Sequence, residues 1–327
     1  MHLERVAAPD VPWAELDASP ERTVGQTRAW LDFLVETQAA EPVLARVVRG
    51  AEPVGWFTGA IVRRFGLRIL GSPLRGWTTA AMGFDLDPGV DRADAIAALA
   101  PFAFDRRGCV HVEVADRAFA DGQPLPPGFR ASHLPGWELP LQRDDDALLA
   151  AMKPYGRRDV RRALRNGITV EEVDPTDPGG FVAEYYAQVS AAFARRDREP
   201  TYPAERVAAL LRHLAPTGHL LVLRARTPDG EPAATGIFPG LPGGTAELWM
   251  GASDAAHQHL LPNEALMWTA LRTWRDRGAE RLNFGGGGVH KAKYGGTPHR
   301  LPQLRRSRPA LLEHARTAAL RAHHLRP

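Results

Sequence analysis

The sequence predicts a mixed α+β protein of the α/β type, built from two related units in tandem. Helical and strand-like stretches alternate along its 327 residues, a length sufficient for two domains of ordinary size. Two strand-turn-strand stretches, VVRGAEPVGWFTGAI and LRARTPDGEPAATGIF, each place Glu-Pro just after the turn and each follow helical sequence. We therefore expect two units of roughly 150 residues, each with its own core.

The elements of the first half follow from the spacing of apolar residues. TRAWLDFLVETQ predicts an amphipathic helix in which Trp30, Phe33 and Leu34 share one face and Thr27 caps the first turn. Alternating or continuous apolar runs predict strands at VLARVV, VGWFTGAIV, LRIL, CVHVEVAD and WELPL. Helices are predicted at RADAIAALAPFAF and at DDDALLAAM, where the three Asp suit the positive end of a helix.

The second half repeats this order of elements. KPYGRRDVRRALR predicts a basic helix from about Arg157 that ends at Asn166-Gly167. Further helices are predicted at FVAEYYAQVSAAFARR, AERVAALLRHLA, PNEALMWTALRTWRDRG and RPALLEHARTAALRAHH, and strands at GITVEEV, HLLVLRAR, PAATGIFPG, TAELWMGAS and AERLNFGGGG. The predicted domains are residues 1–152, completed by a C-terminal helix at 305–327, and residues 153–304.

Composition excludes several classes of protein. No apolar run approaches the length of a membrane span, and the charged, Pro-broken N-terminus does not resemble a signal peptide. The single cysteine, Cys109, cannot form an internal disulfide and suits a buried thiol. These observations favour a cytoplasmic protein, which we expect to be a monomer.

Metal and nucleotide patterns are also missing. His257 and His259 have no third ligand at a recognisable spacing, and neither do His323 and His324, so we expect no metal. The stretch NFGGGGVHKAKYGG at 283–296 has no Gly-Lys pair followed by Ser or Thr, and its glycines do not have the spacing of a dinucleotide fingerprint.

Lysine use is strongly biased. The chain has 41 Lys and Arg residues together, but its only lysines are Lys153, Lys291 and Lys293. All three lie close to a tyrosine and a glycine, in KPYG and KAKYGG. An ammonium is a compact charge that burial can tune, so these positions indicate a site that needs one. The alternative is that Lys291 and Lys293 are solvated residues of a flexible loop.

Two motifs resemble the Fem family of the N-acetyltransferase (GNAT) superfamily. RRDVRRALRNGITV is similar to the family's Arg-rich helix and following strand, and LNFGGGGVHKAKYGG is similar to its strand, glycines and later Phe-Lys-x-x-Phe-Gly. This chain departs from the family pattern with Asn283 for an acid, His290 for Phe and a shorter gap before Lys291. The resemblance implies two tandem GNAT-like domains, each a mostly antiparallel sheet flanked by helices, with a cleft between them.

The resemblance also implies an activity. Fem proteins are aminoacyl-tRNA-dependent transferases that form peptide bonds on cell-wall precursors, so we expect aminoacyl-tRNA as co-substrate, no cofactor, and an amine acceptor in a cell-wall precursor or a specialised peptide or nucleoside metabolite. Lys291 occupies the position of the family lysine and is the expected catalytic cation. Resemblance further suggests phosphate binding by an Arg and a Tyr near the basic helix. The expected binding residues are Lys153, Tyr155, Arg157, Arg158, Gly286, Gly287, Lys293 and Tyr294.

Two points stay open at this level. Glu247 and Asp254 are candidate bases, although each also suits an ordinary structural carboxylate, and the substrate itself can serve as base. The alternative activity is N-acylation from acyl-CoA. In that case a loop of the form Arg/Gln-x-x-Gly-x-Gly/Ala should open the helix after the fourth core strand, but the chain has SDAAHQHLLPNEAL there, without a glycine.

Overall fold

The computed structural model describes residues 1–120, 122–286, 288–308 and 312. The strands in this part of the chain are β1 His2–Arg5, β2 Glu41–Arg49, β3 Glu52–Arg64, β4 Leu67–Ser72, β5 Gly83–Leu86, β6 His111–Ala115, β7 Arg130–Pro140, β8 Thr169–Glu172, β9 Leu220–Arg226, β10 Pro232–Pro239, β11 Thr245–Glu247, β12 Met250–Ser253, β13 Arg281–Asn283 and β14 Thr297–Ser307.

The described α-helices are α1 Trp13–Asp17, α2 Arg28–Gln38, α3 Arg92–Pro101, α4 Asp145–Ala151, α5 Pro154–Arg165, α6 Phe181–Ala194, α7 Ala204–Leu214 and α8 Pro262–Asp276. None of the helices in the described residues is long and apolar enough to cross a membrane. The predicted cap of α2 is present, because the backbone N–H of Trp30 donates to Thr27 Oγ1 over 3.3 Å.

One compact unit comprises Met1–Pro12, Leu34–Leu134 and the described residues from Arg300 onward. Its strands lie in the order β1-β2-β3-β4-β6-β14, with β5 beside β3. All of these pairings are antiparallel except that of β4 with β6. Ile96 and Leu99 of α3 are fully buried in the core of this unit.

The other unit comprises Trp13–Phe33 and Pro135–His299. It holds the antiparallel sheet β12-β10-β9-β8 and, in a second sheet, the neighbouring strands β7, β13 and β11. β13 pairs antiparallel with β7 and parallel with β11. Leu266, Leu271 and Trp274 of α8 are buried in its core. The strands of each unit pair mostly antiparallel and pack against helices, and the predicted mixed α+β fold class is confirmed.

Several elements differ from the prediction. TAELWMGAS forms two strands rather than one, because the chain changes its pairing partner between Leu248 and Trp249. α5 begins at Pro154, three residues before Arg157, because proline suits the first turn of a helix. The strands β1, β5 and β14 were not predicted.

The predicted C-terminal helix does not begin at residue 305, although residue 312 is helical. Residues 305–307 end β14, where Arg305 pairs with Glu113 of β6, and the remainder of 305–327 apart from residues 308 and 312 lies outside the described residues. The compact units also differ from the predicted ranges, because residues 13–33 and 135–152 belong with the second unit. The domain ranges 1–152 and 153–304, drawn from the repeated order of elements, stay a prediction.

Candidate functional site

A fork between two strands positions the glycine-rich segment. Glu247, the last residue of β11, pairs with Asn283 of β13, and the next N–H, that of Leu248, still donates to Asn283 O over 2.8 Å. The N–H of Trp249 instead donates to Ile237 O over 3.0 Å, so the chain leaves β13 and joins β10. Within the described residues, β13 has no partner strand on the side of β11 after Asn283, and the glycines begin at Gly285.

Asn283 shapes the start of the glycine-rich segment. Its Oδ1 accepts the N–H of Gly285 over 2.8 Å, and Gly285 has φ of +70°, a backbone conformation that favours glycine. The amide oxygen thus does what a carboxylate oxygen would do at this position, since both accept a backbone N–H. Asn283 therefore supplies the acceptor that this turn needs.

Lys291 bridges two carbonyl groups at the start of the glycine-rich segment. Its Nζ donates to Phe284 O over 2.6 Å and also to Gly286 O. Burial lowers the pKa of this ammonium from its ordinary value. Because an ammonium has three N–H donors, two of them used by these carbonyls, one donor is left for a ligand beside Gly286, which is exposed.

Lys291 lies on the 3-10 helix Val289–Tyr294, which contacts the first turn of α5. The N–H of Lys153 donates to Lys293 O over 3.0 Å. A Cβ added at Gly156 would lie 2.1 Å from the same oxygen, so only glycine permits this contact. The stretches KPYG and KAKYGG, which lysine use already linked in the sequence, are therefore in direct contact.

Lys293 and Glu264 form an ion pair within this cluster, with only 13% and 11% of their side chains exposed. Glu264 belongs to the first turn of α8, where a carboxylate also suits the positive end of the helix. Sequence reasoning missed Glu264. The only signal was an acid two residues after Pro262, which is common at helix starts and does not by itself indicate a site.

His290 is the second residue that sequence reasoning did not assign to the site. Its ring lies against Gly288, where an added Cβ would be 2.2 Å from His290 Cε1. Solvent reaches the imidazole, but partial burial lowers its pKa, and the positive charges of Lys291 and Lys293 lower it further. The carboxylate of Glu264 opposes that effect. The imidazole is therefore neutral near pH 7 and able to accept a proton.

The basic helix α5 presents unpaired guanidinium groups. Val160 and Ala163 are buried, which turns the charged rows outward. Arg158 is exposed and lies 3.7 Å from Asp159. In the part of the chain that the structure describes, no carboxylate pairs with Arg157, Arg161, Arg162 or Arg165. Tyr155, 45% exposed, follows Pro154 in the first turn. This surface suits an anionic ligand.

The remaining predicted residues are spread more widely. Tyr294 is buried and its ring stacks on Phe284 at 5.7 Å, and burial raises the pKa of its phenol well above the ordinary value. Glu247 is buried at the fork. Asp254 is exposed and accepts the N–H of Ala256 over 2.9 Å, which holds a surface turn. Gly287 lies outside the described residues. Within the described residues, no group of three or more His, Cys, Asp or Glu is placed to hold a metal ion.

The N-terminus of α8 follows the fork, where the GNAT resemblance would place a CoA pyrophosphate. Pro262 has no N–H, and the N–H groups of Glu264 and Ala265 both donate to Leu261 O, over 3.1 and 3.4 Å. Leu261 has φ of +63° and the 3-10 helix Gln258–Leu260 precedes it, in place of a glycine-rich turn. This helix end therefore offers few free donors to an anion.

A comparison with protein families matches residues 155–294 to the acetyltransferase (GNAT) domain. This range begins at Tyr155 and ends at Tyr294, so it contains nearly all of α5, the fork and the Lys291 segment. A sequence comparison with curated proteins finds no match.

Solved structures show the same architecture over nearly the whole chain. FemX matches with a TM-score of 0.73 at 13% identity, covering 96% of this chain and 99% of that one. A tandem GNAT protein from the clavulanic acid biosynthesis pathway matches with a TM-score of 0.56 at 15% identity, over 94% and 98%. L-PGS from Bacillus licheniformis matches with a TM-score of 0.50 at 13% identity, over 85% and 91%. The predicted tandem GNAT fold is confirmed.

Proposed function

We propose that this chain, an acyltransferase with a GNAT domain inside a Fem-like fold, transfers an aminoacyl group from charged tRNA to an amine and so forms an amide bond. The acceptor would be an amine of a cell-wall precursor or of a specialised peptide or nucleoside metabolite. The reaction would need no cofactor and would take place in the cytoplasm with the protein as a monomer.

The choice of tRNA over CoA as the donor rests on the structure of the N-terminus of α8. Acyl-CoA enzymes of this superfamily are expected to hold pyrophosphate on free N–H groups at this helix end. Here the N–H of Glu264 donates to Leu261 O and Pro262 has no N–H, so two positions of the first turn offer no free donor. These features support a donor other than CoA.

The positive surfaces of the same domain support an RNA-linked donor. Tyr155 and the unpaired arginines of α5 are solvent-accessible or half-buried, and α5 is anchored to the segment that carries Lys291. Guanidinium groups bind phosphate through paired N–H donors, so α5 would hold phosphates of the tRNA or of the acceptor while the ester lies near Lys291.

Lys291 and His290 would supply the groups that the transfer needs. The acceptor amine attacks the ester carbonyl, and the remaining N–H donor of Lys291 stabilises the negative charge that forms on the carbonyl oxygen. His290, neutral near pH 7, accepts the proton that the amine loses. When the bond between the carbonyl carbon and the ribose oxygen breaks, the imidazolium of His290 passes this proton to the ribose oxygen, and the products are an amide and uncharged tRNA.

The direct test is a comparison of donors. Purified protein is incubated with a mixture of tRNAs charged with labelled amino acids and, separately, with labelled acetyl-CoA, each with a panel of amine acceptors. We expect amide product from the charged tRNA and none from acetyl-CoA. Transfer from acetyl-CoA alone would overturn the proposal in favour of acyl-CoA-dependent N-acylation.

A further inference from the structure

The turn between β3 and β4 carries the most exposed large apolar side chain in the described residues. Phe65 is 103% exposed, and Leu67, two residues later, is 40% exposed. β3 ends at Arg64 and β4 begins at Leu67, so Phe65 and Gly66 form a two-residue hairpin turn. An apolar side chain that water surrounds completely at the tip of a hairpin contributes nothing to the core of this unit.

The backbone at Phe65 makes its presence more unusual. Phe65 has φ of +51° and Gly66 has φ of +76°, which is the pattern of a type I′ turn. Asn-Gly is the favoured sequence for such a turn, and a bulky residue with positive φ is an outlier. Neither the stability of the turn nor the solubility of the protein accounts for a phenylalanine here.

Arginines surround this tip. Arg64 pairs across the hairpin with Leu67, and Arg63 lies directly opposite Arg68. Arg63 and Arg64 are exposed, and neither has an acidic partner in the described part of the chain. The tip therefore combines an apolar point with two free guanidinium groups.

More arginines lie near the same ends of these strands. Glu41 lies opposite Ile61, two residues before Arg63. The carboxylate of Glu41 pairs with Arg68 over 2.9 Å, with Arg5 over 3.7 Å, and with Arg107. Three guanidinium groups that share one carboxylate retain a net positive charge, which adds to that of the tip.

We propose that the β3–β4 hairpin is a peripheral docking point for an anionic lipid bilayer. Phe65 and Leu67 would enter the interface between head groups and acyl chains, and Arg63 and Arg64 would lie among the lipid phosphates. An exposed aromatic ring such as that of Phe65 also suits stacking on a nucleic-acid base. Leu67, however, has no ring with which to stack. Two apolar side chains next to two arginines therefore fit a bilayer better than a nucleic acid.

The test uses the full chain and vesicles. Sedimentation with vesicles of equal parts phosphatidylcholine and phosphatidylglycerol should capture the protein, and vesicles of phosphatidylcholine alone should not. Phe65→Asn should weaken capture by about tenfold, because it removes the aromatic anchor. Arg63→Gln and Arg64→Gln should each weaken it by about fivefold, and raising the salt to about 0.5 M should do so for the wild type.

Phe65→Asn separates docking from folding, because it supplies the residue that a type I′ turn prefers. Its midpoint of thermal unfolding should equal or exceed that of the wild type while vesicle capture falls. Leu125→Asn, which removes another exposed leucine of the same unit, is the matched control and should leave capture unchanged. Equal capture of wild type and Phe65→Asn would overturn the proposal, as would binding of uncharged tRNA that Phe65→Asn abolishes while vesicle capture is unaffected.

Discussion

The backbone N–H of Lys153 donates to the carbonyl oxygen of Lys293 over 3.0 Å, and this hydrogen bond joins α5 to the segment that holds Lys291. A basic helix with unpaired guanidinium groups is thereby fixed beside a partly buried ammonium. Whatever α5 binds therefore lies at a defined distance from the end of β13. Separate substitutions can change the contact between α5 and the 3-10 helix, the ammonium of Lys291, the imidazole of His290 and the arginines of α5.

Gly156→Ala should loosen the contact between α5 and the 3-10 helix. The added methyl group would lie 2.1 Å from Lys293 O, a backbone atom that cannot move without its whole segment. We expect a loss of about 1–3 kcal/mol in the free energy of unfolding, measured by urea denaturation. Leu164→Ala, on the exposed face of the same helix, is the control and should cost less than about 0.5 kcal/mol.

Lys291→Met should impair the reaction more than the fold. Removing a donor to a developing oxyanion slows the chemical step by about 10²–10³-fold, which single-turnover transfer from charged tRNA would measure. Lys293→Met provides the contrast, because it leaves the buried Glu264 without its cation and should cost about 3 kcal/mol of unfolding free energy. Wild-type transfer by Lys291→Met would remove Lys291 from its proposed role.

The pH dependence of transfer should follow from two depressed pKa values. His290 must be neutral to accept a proton, and its pKa is lowered, so activity should rise with pH below the ordinary histidine range. Lys291 must be protonated, and its pKa is also lowered, so activity should fall before the ordinary lysine range is reached. His290→Asn should abolish the acid limb of the profile of kcat/KM while the alkaline limb remains. An acid limb that persists in this variant would assign the base elsewhere.

Binding of charged tRNA should depend steeply on salt through α5. Replacing Arg157 or Arg158 with Gln should weaken binding and lower the slope of log K against log salt by about 0.9 for each phosphate that the arginine neutralises. Arg143→Gln is a matched control, because Arg143 is exposed but pairs with Asp144 over 3.1 Å. An unchanged slope in Arg157→Gln and Arg158→Gln would show that phosphates bind elsewhere.

The sequence was most informative where a local pattern determines structure. Within the described residues, the predicted helices at α2, α6, α7 and α8, the first hairpin and the cap at Thr27 all form as predicted. Lysine use also indicated the contact between the stretches at 153 and 293 correctly, since in a chain so rich in arginine a lysine is an informative residue.

What the sequence missed depends on interactions between distant residues. β14 contains two prolines and several arginines, so its pattern resembles a tail, and it becomes a strand through pairing with strands distant in sequence, β6 among them. Glu264 gains its role from Lys293, which lies 29 positions later. Tyr294 belongs to a motif that suggested binding, yet its ring packs on Phe284 in the core, because an aromatic residue in a glycine-rich segment suits either purpose.

Asn283 also makes the hydrogen bond at the start of the glycine-rich segment independent of pH. An amide does not titrate, so the hydrogen bond between Asn283 Oδ1 and the N–H of Gly285 keeps the same strength in acid and in alkali. With an aspartate in its place, this turn would weaken when the carboxylate took up a proton. In this chain the anchor of the turn is indifferent to pH, and the titrating groups beside the glycines include the two that the reaction would use, His290 and Lys291.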